Sequence, residues 1–367
     1  TRRTEVISVK GQGDHVETVT LSHNGPIVDS ILPPAARHTG PVSIRWVGMS
    51  GGGWLTSLLQ MNRANTVAEL HEAMRPWHVP TFCVVSGDSN GNIGLKATGK
   101  IPRRNSYHRS YRDGSAPHDQ WQGYIPFDEM PELINPECNW IRTANNRTAA
   151  NDYPHMLSGC WSSGHRAGRI REILESHQGT FALDDFVQMQ NDVISGRAQE
   201  CTPKLLKALS SESDPDLLCA LSFLQGWNGS IDVDSVAATI FNVFFTLWQM
   251  RVTREHIPEE QLELVGNAAG GVASRLIDQD AVRWFQNDDR ERAVSETFKA
   301  AVDLLSDRFG NDMETWQWGK LHILTKSHPL GRIGDLGELL NHAPISVKGD
   351  MVTVGNTGQG PDWTSTS

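Results

Sequence analysis

The sequence predicts a protein of the α+β class. Strand-like alternation is gathered in the first part of the chain, helical periodicity dominates from about residue 156, and strand-like segments return near residue 345. A doubly wound fold would instead alternate strands with helices. We expect one large domain in three stretches: a β-rich part over 1–135, a mainly helical region over 136–342 and a return to the β core over 343–367.

The opening elements are predicted from alternation and turn residues. Residues 16–21 alternate between apolar and polar side chains and end at the turn-like sequence His-Asn-Gly-Pro at 23–26, which predicts a β-hairpin within residues 5–29. A short strand is expected over 43–47. After a glycine-rich loop, the periodicity predicts a helix over 55–74.

A second hairpin is predicted from the turn between segments 82–85 and 93–98. The turn contains Asn-Gly, and both of these residue types accept positive φ. Asp88 and the alternating asparagines after it also mimic the first ligands of an EF-hand loop, but Ile93 stands where that loop requires glycine. A hairpin turn is therefore the better interpretation.

The second half of the chain shows the spacing of buried helix faces. Ala167, Ile170, Ile173 and Leu174 fall on one face of a predicted helix. Similar stripes recur at 180–195, 203–225, 233–255 and 292–309. The last of these helices should end at Gly310, and segments 345–347 and 351–354 are predicted to return to strand. The most apolar stretch, 236–250, is too short and too polar for a bilayer span, so it predicts a core helix.

Charge and cysteine content exclude several function classes. The 367 residues carry 33 Lys and Arg against 43 Asp and Glu, a formal net charge of −10. This balance gives no electrostatic footprint for nucleic acid or for an anionic membrane. The five cysteines show neither a disulfide framework nor zinc-type spacing. They are Cys83, Cys138, Cys160, Cys201 and Cys219.

Three segments in order carry the functional information. The first runs from Asp88 to Gly94 as Asp-Ser-Asn-Gly-Asn-Ile-Gly and continues through residues 98–103 as Thr-Gly-Lys-Ile-Pro-Arg. The second contains Asn-Pro at 135–136, Asn-Asn at 145–146 and Tyr-Pro at 153–154. The third is the predicted helix start Arg-Ala-Gly-Arg-Ile at 166–170.

Together these segments resemble the penicillin acylase family of N-terminal nucleophile hydrolases. The first is similar to the family signature in which Asp-x-x-Gly-Asn-Ile-Gly is followed by Gly-x-x-Pro-x-Arg. The second and third resemble the family's Asn-Pro, Asn-Asn and Tyr-Pro run and its arginine-bearing helix. The resemblance covers nearly the whole chain and implies the layered αββα architecture, here with a helical insert between the β segments.

The resemblance also implies a mechanism and two site residues. Family members attack an amide carbonyl with an amino-terminal Ser whose α-amino group acts as the base, and the pKa of such an amine lies near working pH. By position, Asn145 is implied to donate to the oxyanion, although one residue of misalignment would select Asn146. Arg166 is implied to support the pocket. Without the resemblance, these residues would be interpreted as turn and helix-surface residues.

The start of the chain departs from the family. The sequence begins Thr1-Arg-Arg, whereas the family start is Ser in a Ser-Asn context, so the nucleophile is expected upstream of Thr1. The chain is therefore expected to be an internal part of the catalytic β subunit, incomplete at both ends and inactive by itself. The α subunit of the same precursor is the expected partner, and the resemblance implies a periplasmic or secreted location.

No cofactor is expected to be required. Family members often hold a structural calcium through a carboxylate just beyond the Tyr-Pro, but His155 and Met156 follow Pro154 here, so no metal ligand is assigned. The histidines form no His-Glu-x-x-His motif and no tight cluster. The tryptophans either line an aromatic acyl pocket or pack the core.

The predicted function is hydrolysis of the linear amide bond of N-acylated small molecules, such as β-lactams or acyl-homoserine lactones. One alternative is an esterase with Ser50 as nucleophile, because residues 48–52 satisfy the G-x-S-x-G pattern between a predicted strand and a helix. The consecutive helices downstream weigh against the parallel sheet that this motif needs. Another alternative is a non-catalytic relative that keeps the fold as a binding module.

Overall fold

The computed structural model describes residues 1–37, 40–49, 51–105, 110–157, 159, 161–265, 269–279, 283–285, 290–360 and 362–365. The chain divides into two compact units, Thr1–Ser162 and Ser163–Ser367. Unit 1 carries two three-stranded antiparallel sheets, and unit 2 is mainly helical. Strands early and helices late agree with the predicted α+β class.

The first sheet contains β1 (Arg2–Ile7), β2 (His15–Ser22) and β3 (Gly25–Pro26). Arg2 lies opposite Thr20 in the antiparallel register of β1 and β2, so the predicted opening hairpin is confirmed. The predicted strand over 43–47 is wrong. Only one isolated bridge, between Ile27 and Ser43, forms there, because the chain turns into a 3-10 helix at Val47–Met49 before it can pair further.

Two short helices replace the single helix predicted over 55–74. They are α1 (Trp54–Met61) and α2 (Val67–Ala73). The Thr66 side chain accepts the backbone N–H of Glu69 at 3.2 Å, and the Glu69 carboxylate accepts the backbone N–H of Asn65 at 2.8 Å. These two bonds start a new helix, which interrupts the apolar periodicity that suggested one continuous element.

The second sheet contains β4 (Phe82–Gly87), β5 (Ile93–Thr98) and β6 (Glu132–Ile134), all antiparallel. The predicted second hairpin is thus confirmed as β4 and β5. Gly91 in its turn has φ of +86°, a conformation that glycine adopts without steric cost.

Unit 2 is built around a buried helix. Its helices, within the residues described, are α3 (His165–Ser176), α4 (Leu183–Gln190), α5 (Gly196–Ala208), α6 (Pro215–Leu224), α7 (Val236–Arg254), α8 (Leu262–Val265), α9 (Gly270–Leu276), α10 (Arg290–Phe309), α11 (Trp318–Leu321) and α12 (Leu336–Leu340). Phe244 and Trp248 of α7 are fully buried, and Phe244 meets the ring of Phe298 on α10 edge-on. The predicted core helix is confirmed as α7. Within the part of the chain that the structure describes, no helix is long and apolar enough to cross a bilayer.

The end of unit 2 contains one of the two strands predicted there. β7 (Ile323–Leu324) pairs with β8 (Ile345–Ser346), so the strand near 345 is confirmed. The strand predicted over 351–354 is wrong. The Asp350 carboxylate accepts the N–H of Val352 at 2.7 Å and the Thr353 hydroxyl accepts the N–H of Asp350 at 3.0 Å, and these local bonds fold the segment into a turn.

Candidate active site

Two of the motif segments meet at the turn between β4 and β5. Asp88 accepts the backbone and side-chain N–H groups of Asn92 at 3.0–3.1 Å and the backbone N–H of Val67, the first residue of α2. The bond from the Asn92 side chain is the main reason that the pKa of Asp88 lies below its ordinary value. The aspartate therefore ties the hairpin to the start of α2.

Asn135 closes the same turn from the end of β6. Its side-chain oxygen accepts the N–H of Ile93 at 2.9 Å, and its amide donates to Asn92 Oδ1 at 2.9 Å. Asn135 has φ of +45°, which asparagine tolerates better than most residues. The signature residues Asp88, Asn92 and Asn135 thus build the frame from which the following loop leaves the sheet.

That loop carries the predicted oxyanion donor. Asn145 is exposed and has φ of +59°, while the residue before it, Ala144, is buried. The Asn145 carbonyl accepts the N–H of Ser162 at 2.9 Å, which joins the loop to the end of unit 1. Ala144 is buried and the Asn145 carbonyl is bonded to Ser162. The left-handed backbone of Asn145 between these two fixed points sets the direction of the loop after residue 145.

Asn146 has a different role in the loop. Its side-chain oxygen accepts the N–H of Ala144 at 3.0 Å, and its side-chain amide donates to the carbonyl of Arg147 at 2.9 Å. Both ends of this side chain are therefore engaged by the neighbouring backbone, much as turn-forming asparagines bond to nearby main-chain groups. This arrangement favours a structural role for Asn146.

A cavity of about 950 Å³ lies beside the loop in unit 1. Asn146, Trp140, Arg142 and Tyr153 line it together with Leu95 of β5. The Arg142 guanidinium lies 6.0 Å from the centre of the Trp140 ring, and the Tyr153 hydroxyl donates to the carbonyl of Glu129 at 2.8 Å. The lining thus combines aromatic surface and fixed hydrogen-bonding groups with charges of both signs, Arg142 and Arg147 beside Asp128, Glu132 and Asp152, which suits a small polar molecule with an apolar part.

The sequence singled out neither Arg142 nor Tyr153 as a pocket residue, and it included Trp140 only among the tryptophans that either line a pocket or pack the core. Tyr153 was visible only as half of the Tyr-Pro motif. Trp140 and Arg142 lie in the irregular segment between Asn135 and Pro154. Motif residues hold this segment in place, so the side chains between them could have been predicted to line a pocket.

Arg166 lies in unit 2, at the second residue of α3, whereas Asn145 lies in unit 1. The Arg166 side chain is half-buried, and this burial lowers the pKa of its guanidinium. On the same helix, Arg169 makes a bidentate contact with Asp192, with Nη2 and Oδ2 at 2.7 Å. Arg169 therefore anchors α3 within unit 2.

The remaining candidates from the sequence analysis have separate outcomes. Ser50 lies outside the described residues. His155, which stands just beyond the Tyr-Pro motif and was assigned no role as a calcium ligand, contacts the carboxylate of Glu129. Among the described residues, no group of three or more His, Cys, Asp or Glu side chains is placed to hold a metal ion. The tryptophans divide: Trp248, Trp316 and Trp318 pack the core, while Trp140 lines the cavity.

The comparison with solved structures defines the fold. The chain is similar to the thermostable penicillin G acylase from Alcaligenes faecalis, with a TM-score of 0.66 and 19% sequence identity over 86% of this chain and 62% of that one. This likeness confirms the N-terminal nucleophile hydrolase fold implied by the motifs.

The family follows from the sequence comparisons. The family model described as penicillin amidase matches residues 1–367, and the chain belongs to this family. It is 28% identical to penicillin acylase 2 proenzyme from Pseudomonas sp. strain SE83, over 96% of this chain and 45% of that protein. It is 25% identical to the acyl-homoserine lactone acylase QuiP of Pseudomonas syringae pv. tomato, over 96% of this chain and 46% of that protein. The chain spans about half the length of these curated relatives.

Proposed function

We propose that the protein carrying this chain is an acylase that hydrolyses the linear amide bond of N-acylated small molecules, with β-lactams and acyl-homoserine lactones as the two substrate classes. The nucleophile would be an amino-terminal serine outside these residues, with its own α-amino group as base. Membership of the penicillin amidase family and the acylase activities for which the two relatives are named support this proposal.

The loop at Asn145 carries the proposal. An amide hydrolase must stabilise the negative oxygen of a tetrahedral intermediate with a donor held in place before the reaction. By the motif resemblance Asn145 would be that donor, and it lies on a left-handed backbone anchored by buried Ala144 and by the bond to Ser162. The side chain of Asn146 is bonded to local backbone groups, which favours a structural role for it, and the motif resemblance selects Asn145.

The supporting parts are proposed on the same basis. Arg166, a half-buried cation at the start of α3, would have the supporting role that the family resemblance implies. The α subunit of the same precursor would be the partner, and the periplasm or the exterior would be the location, as in the family. No cofactor is needed for this chemistry, because serine, amine and amide groups supply the nucleophile, base and oxyanion donor.

The test is an assay of the complete protein against both substrate classes. We expect release of 6-aminopenicillanic acid from an N-acylated β-lactam, or of homoserine lactone from its N-acyl derivative, measured by reaction of the new amine with fluorescamine. Complete protein that is folded but releases no amine from either class would indicate a non-catalytic relative. Ester hydrolysis that is lost in Ser50→Ala, without any amide hydrolysis, would favour the G-x-S-x-G alternative.

A further inference from the structure

A serine, a histidine and a glutamate lie in series beside the second sheet of unit 1. Ser86 Oγ on β4 is 3.4 Å from Nε2 of His71 on α2. The other ring nitrogen, Nδ1, is 2.7 Å from Oε1 of Glu132 on β6. Neither the family resemblance nor the proposed acylase mechanism assigns any of these three residues.

The sheet register explains why the three side chains meet. Ser86 pairs with Gly94, and Lys96 pairs with Glu132, so these positions project from the same face of the sheet. His71 packs against that face above Gly94. A Cβ at position 94 would lie 2.8 Å from the ring atoms Cε1 and Nε2 of His71, so the missing side chain makes room for the imidazole.

The hydrogen bonds set the direction of proton transfer. An ionised carboxylate can only accept, so His71 donates its Nδ1–H to Glu132, and in the neutral imidazole the lone pair is then on Nε2, which faces the Ser86 hydroxyl. The carbonyl of Gly94 is a second acceptor, also 3.4 Å from Ser86 Oγ. The 3.4 Å separation from Nε2 is at the long end of the range, as is common in nucleophile–base pairs without a bound substrate.

Burial and charge hold this arrangement in place. His71 is only 4% exposed, whereas Ser86 is half-buried and retains access to solvent. Lys96 Nζ lies 3.6 Å from Glu132 Oε1 and 4.6 Å from the centre of the Phe127 ring, so the carboxylate has a fixed cation beside it. Ile134 lies in the same row of the sheet as Ser86, two strands away across Gly94, and is 48% exposed.

We propose that Ser86 is a nucleophile for small uncharged carboxylic esters, with His71 as its general base and with Glu132 orienting the imidazole. The Ser86 oxygen forms a bond to the ester carbonyl carbon while its proton passes to His71 Nε2. The carbon–oxygen bond to the alcohol then breaks, and the alcohol leaves with that proton. Water releases the acyl group from Ser86 by the reverse proton path, which restores the serine and yields a carboxylic acid.

The test is covalent labelling of the complete protein with a short-chain alkyl fluorophosphonate. The Ser86 oxygen would bond to phosphorus, fluoride would leave, and His71 would take the proton. Tryptic digestion and mass spectrometry locate the adduct, so labelling of a serine elsewhere in the protein is counted separately. We expect the adduct on the peptide that carries Ser86, and its loss in Ser86→Ala, which removes one oxygen from a half-buried strand position.

Ser89 provides the matched control, because it is an exposed serine on the same tryptic peptide. Ser89→Ala should keep the adduct. Replacement of His71 by alanine should reduce the labelling rate at least tenfold in protein that retains a cooperative thermal transition. Glu132→Ala should also slow labelling, and Glu132→Asp, which keeps an acceptor for Nδ1–H, should recover part of the rate.

Two results would overturn the proposal. One is the absence of any adduct at Ser86 in folded protein under conditions that label chymotrypsin completely. The other is labelling that persists unchanged without His71, since the hydroxyl would then react without its base.

Hydrolysis of p-nitrophenyl acetate that falls in Ser86→Ala but not in Ser89→Ala is expected alongside the adduct.

Discussion

Adjacent residues of the same type have different local environments in this molecule. Asn145 and Asn146 are indistinguishable by composition, and the motif alone allowed either to be the oxyanion donor. In the structure, Asn146 bonds to Ala144 and Arg147 in its own loop, while Asn145 adopts a left-handed backbone and is exposed. Local hydrogen bonding therefore favours a structural role for Asn146 and leaves the catalytic role as a proposal for Asn145.

This assignment predicts opposite effects of two alanine substitutions. Asn145→Ala should lower kcat for amide hydrolysis by about a hundredfold or more with little change in KM, because an oxyanion donor acts mainly in the transition state. Asn146→Ala should reduce kcat much less and lower the thermal midpoint, because its loop bonds are lost. Steady-state kinetics and thermal denaturation of both variants measure the two effects, and an unchanged kcat in Asn145→Ala would exclude its role.

At the scale of elements, short polar caps decide where helices begin. The apolar pattern of residues 55–74 predicted one helix, but Thr66 and Glu69 cap a second helix, α2, after a break. Asp88 then holds the first residue of α2, Val67, against the hairpin turn. The position of α2 matters because this helix carries His71.

The cap can be tested by Thr66→Ala. We expect a loss of about 1 kcal/mol in the free energy of unfolding, because the N–H of Glu69 loses its acceptor at the helix start. Urea denaturation followed by circular dichroism measures it. Thr56→Ala on α1 is the control: Thr56 is exposed within a helix, so its replacement should be neutral or slightly stabilising. Equal losses in the two variants would contradict the capping role.

At the scale of the whole molecule, unit 2 depends on polar groups that are buried with their partners. Trp248 and Trp318 donate their indole N–H groups to the carbonyls of Ala273 and Gly349 inside the core. His322 is completely buried, with Nδ1 2.7 Å from the carbonyl of Trp363 and Nε2 2.8 Å from the hydroxyl of Thr357. It ties the end of the chain to the helical core.

This burial predicts that stability depends on pH. Burial lowers the pKa of His322, so the folded protein keeps the imidazole neutral at pH values where the unfolded chain, with a pKa near 6.5, takes up a proton. Stability should therefore fall as the pH decreases below about 7 toward the folded pKa. The thermal midpoint measured between about pH 8 and pH 5.5 should decline, and the decline should be shallower in His322→Gln.

His342 supplies the control for this slope, because its side chain is exposed. His342→Gln should leave the slope of thermal midpoint against pH as it is in the unsubstituted protein. If His322→Gln has the same slope as the unsubstituted protein, other groups govern the acid sensitivity of unit 2. The thermal midpoint of His322→Gln is expected to fall at every pH, so only the slope of the midpoint against pH tests the role of His322.

The sequence by itself determined the α+β class, both hairpins of unit 1, the core helix α7 and the family. These follow from local patterns: alternation, the Asn-Gly turn, apolar periodicity and ordered motifs. The predictions for 43–47, 55–74 and 351–354 were wrong. A 3-10 helix, a helix cap and the bonds of Asp350, respectively, determine the structure there instead of the apolar pattern.

Only the tertiary structure decided which side chains meet. Trp140, Arg142 and Tyr153 line one cavity, and Ser86, His71 and Glu132 lie in series, although His71 and Glu132 are far apart along the chain. Antiparallel register and the missing side chain of Gly94 bring the second group together. Such contacts depend on the pairing of distant segments, and one sequence does not reveal that pairing because many registers satisfy the same local pattern.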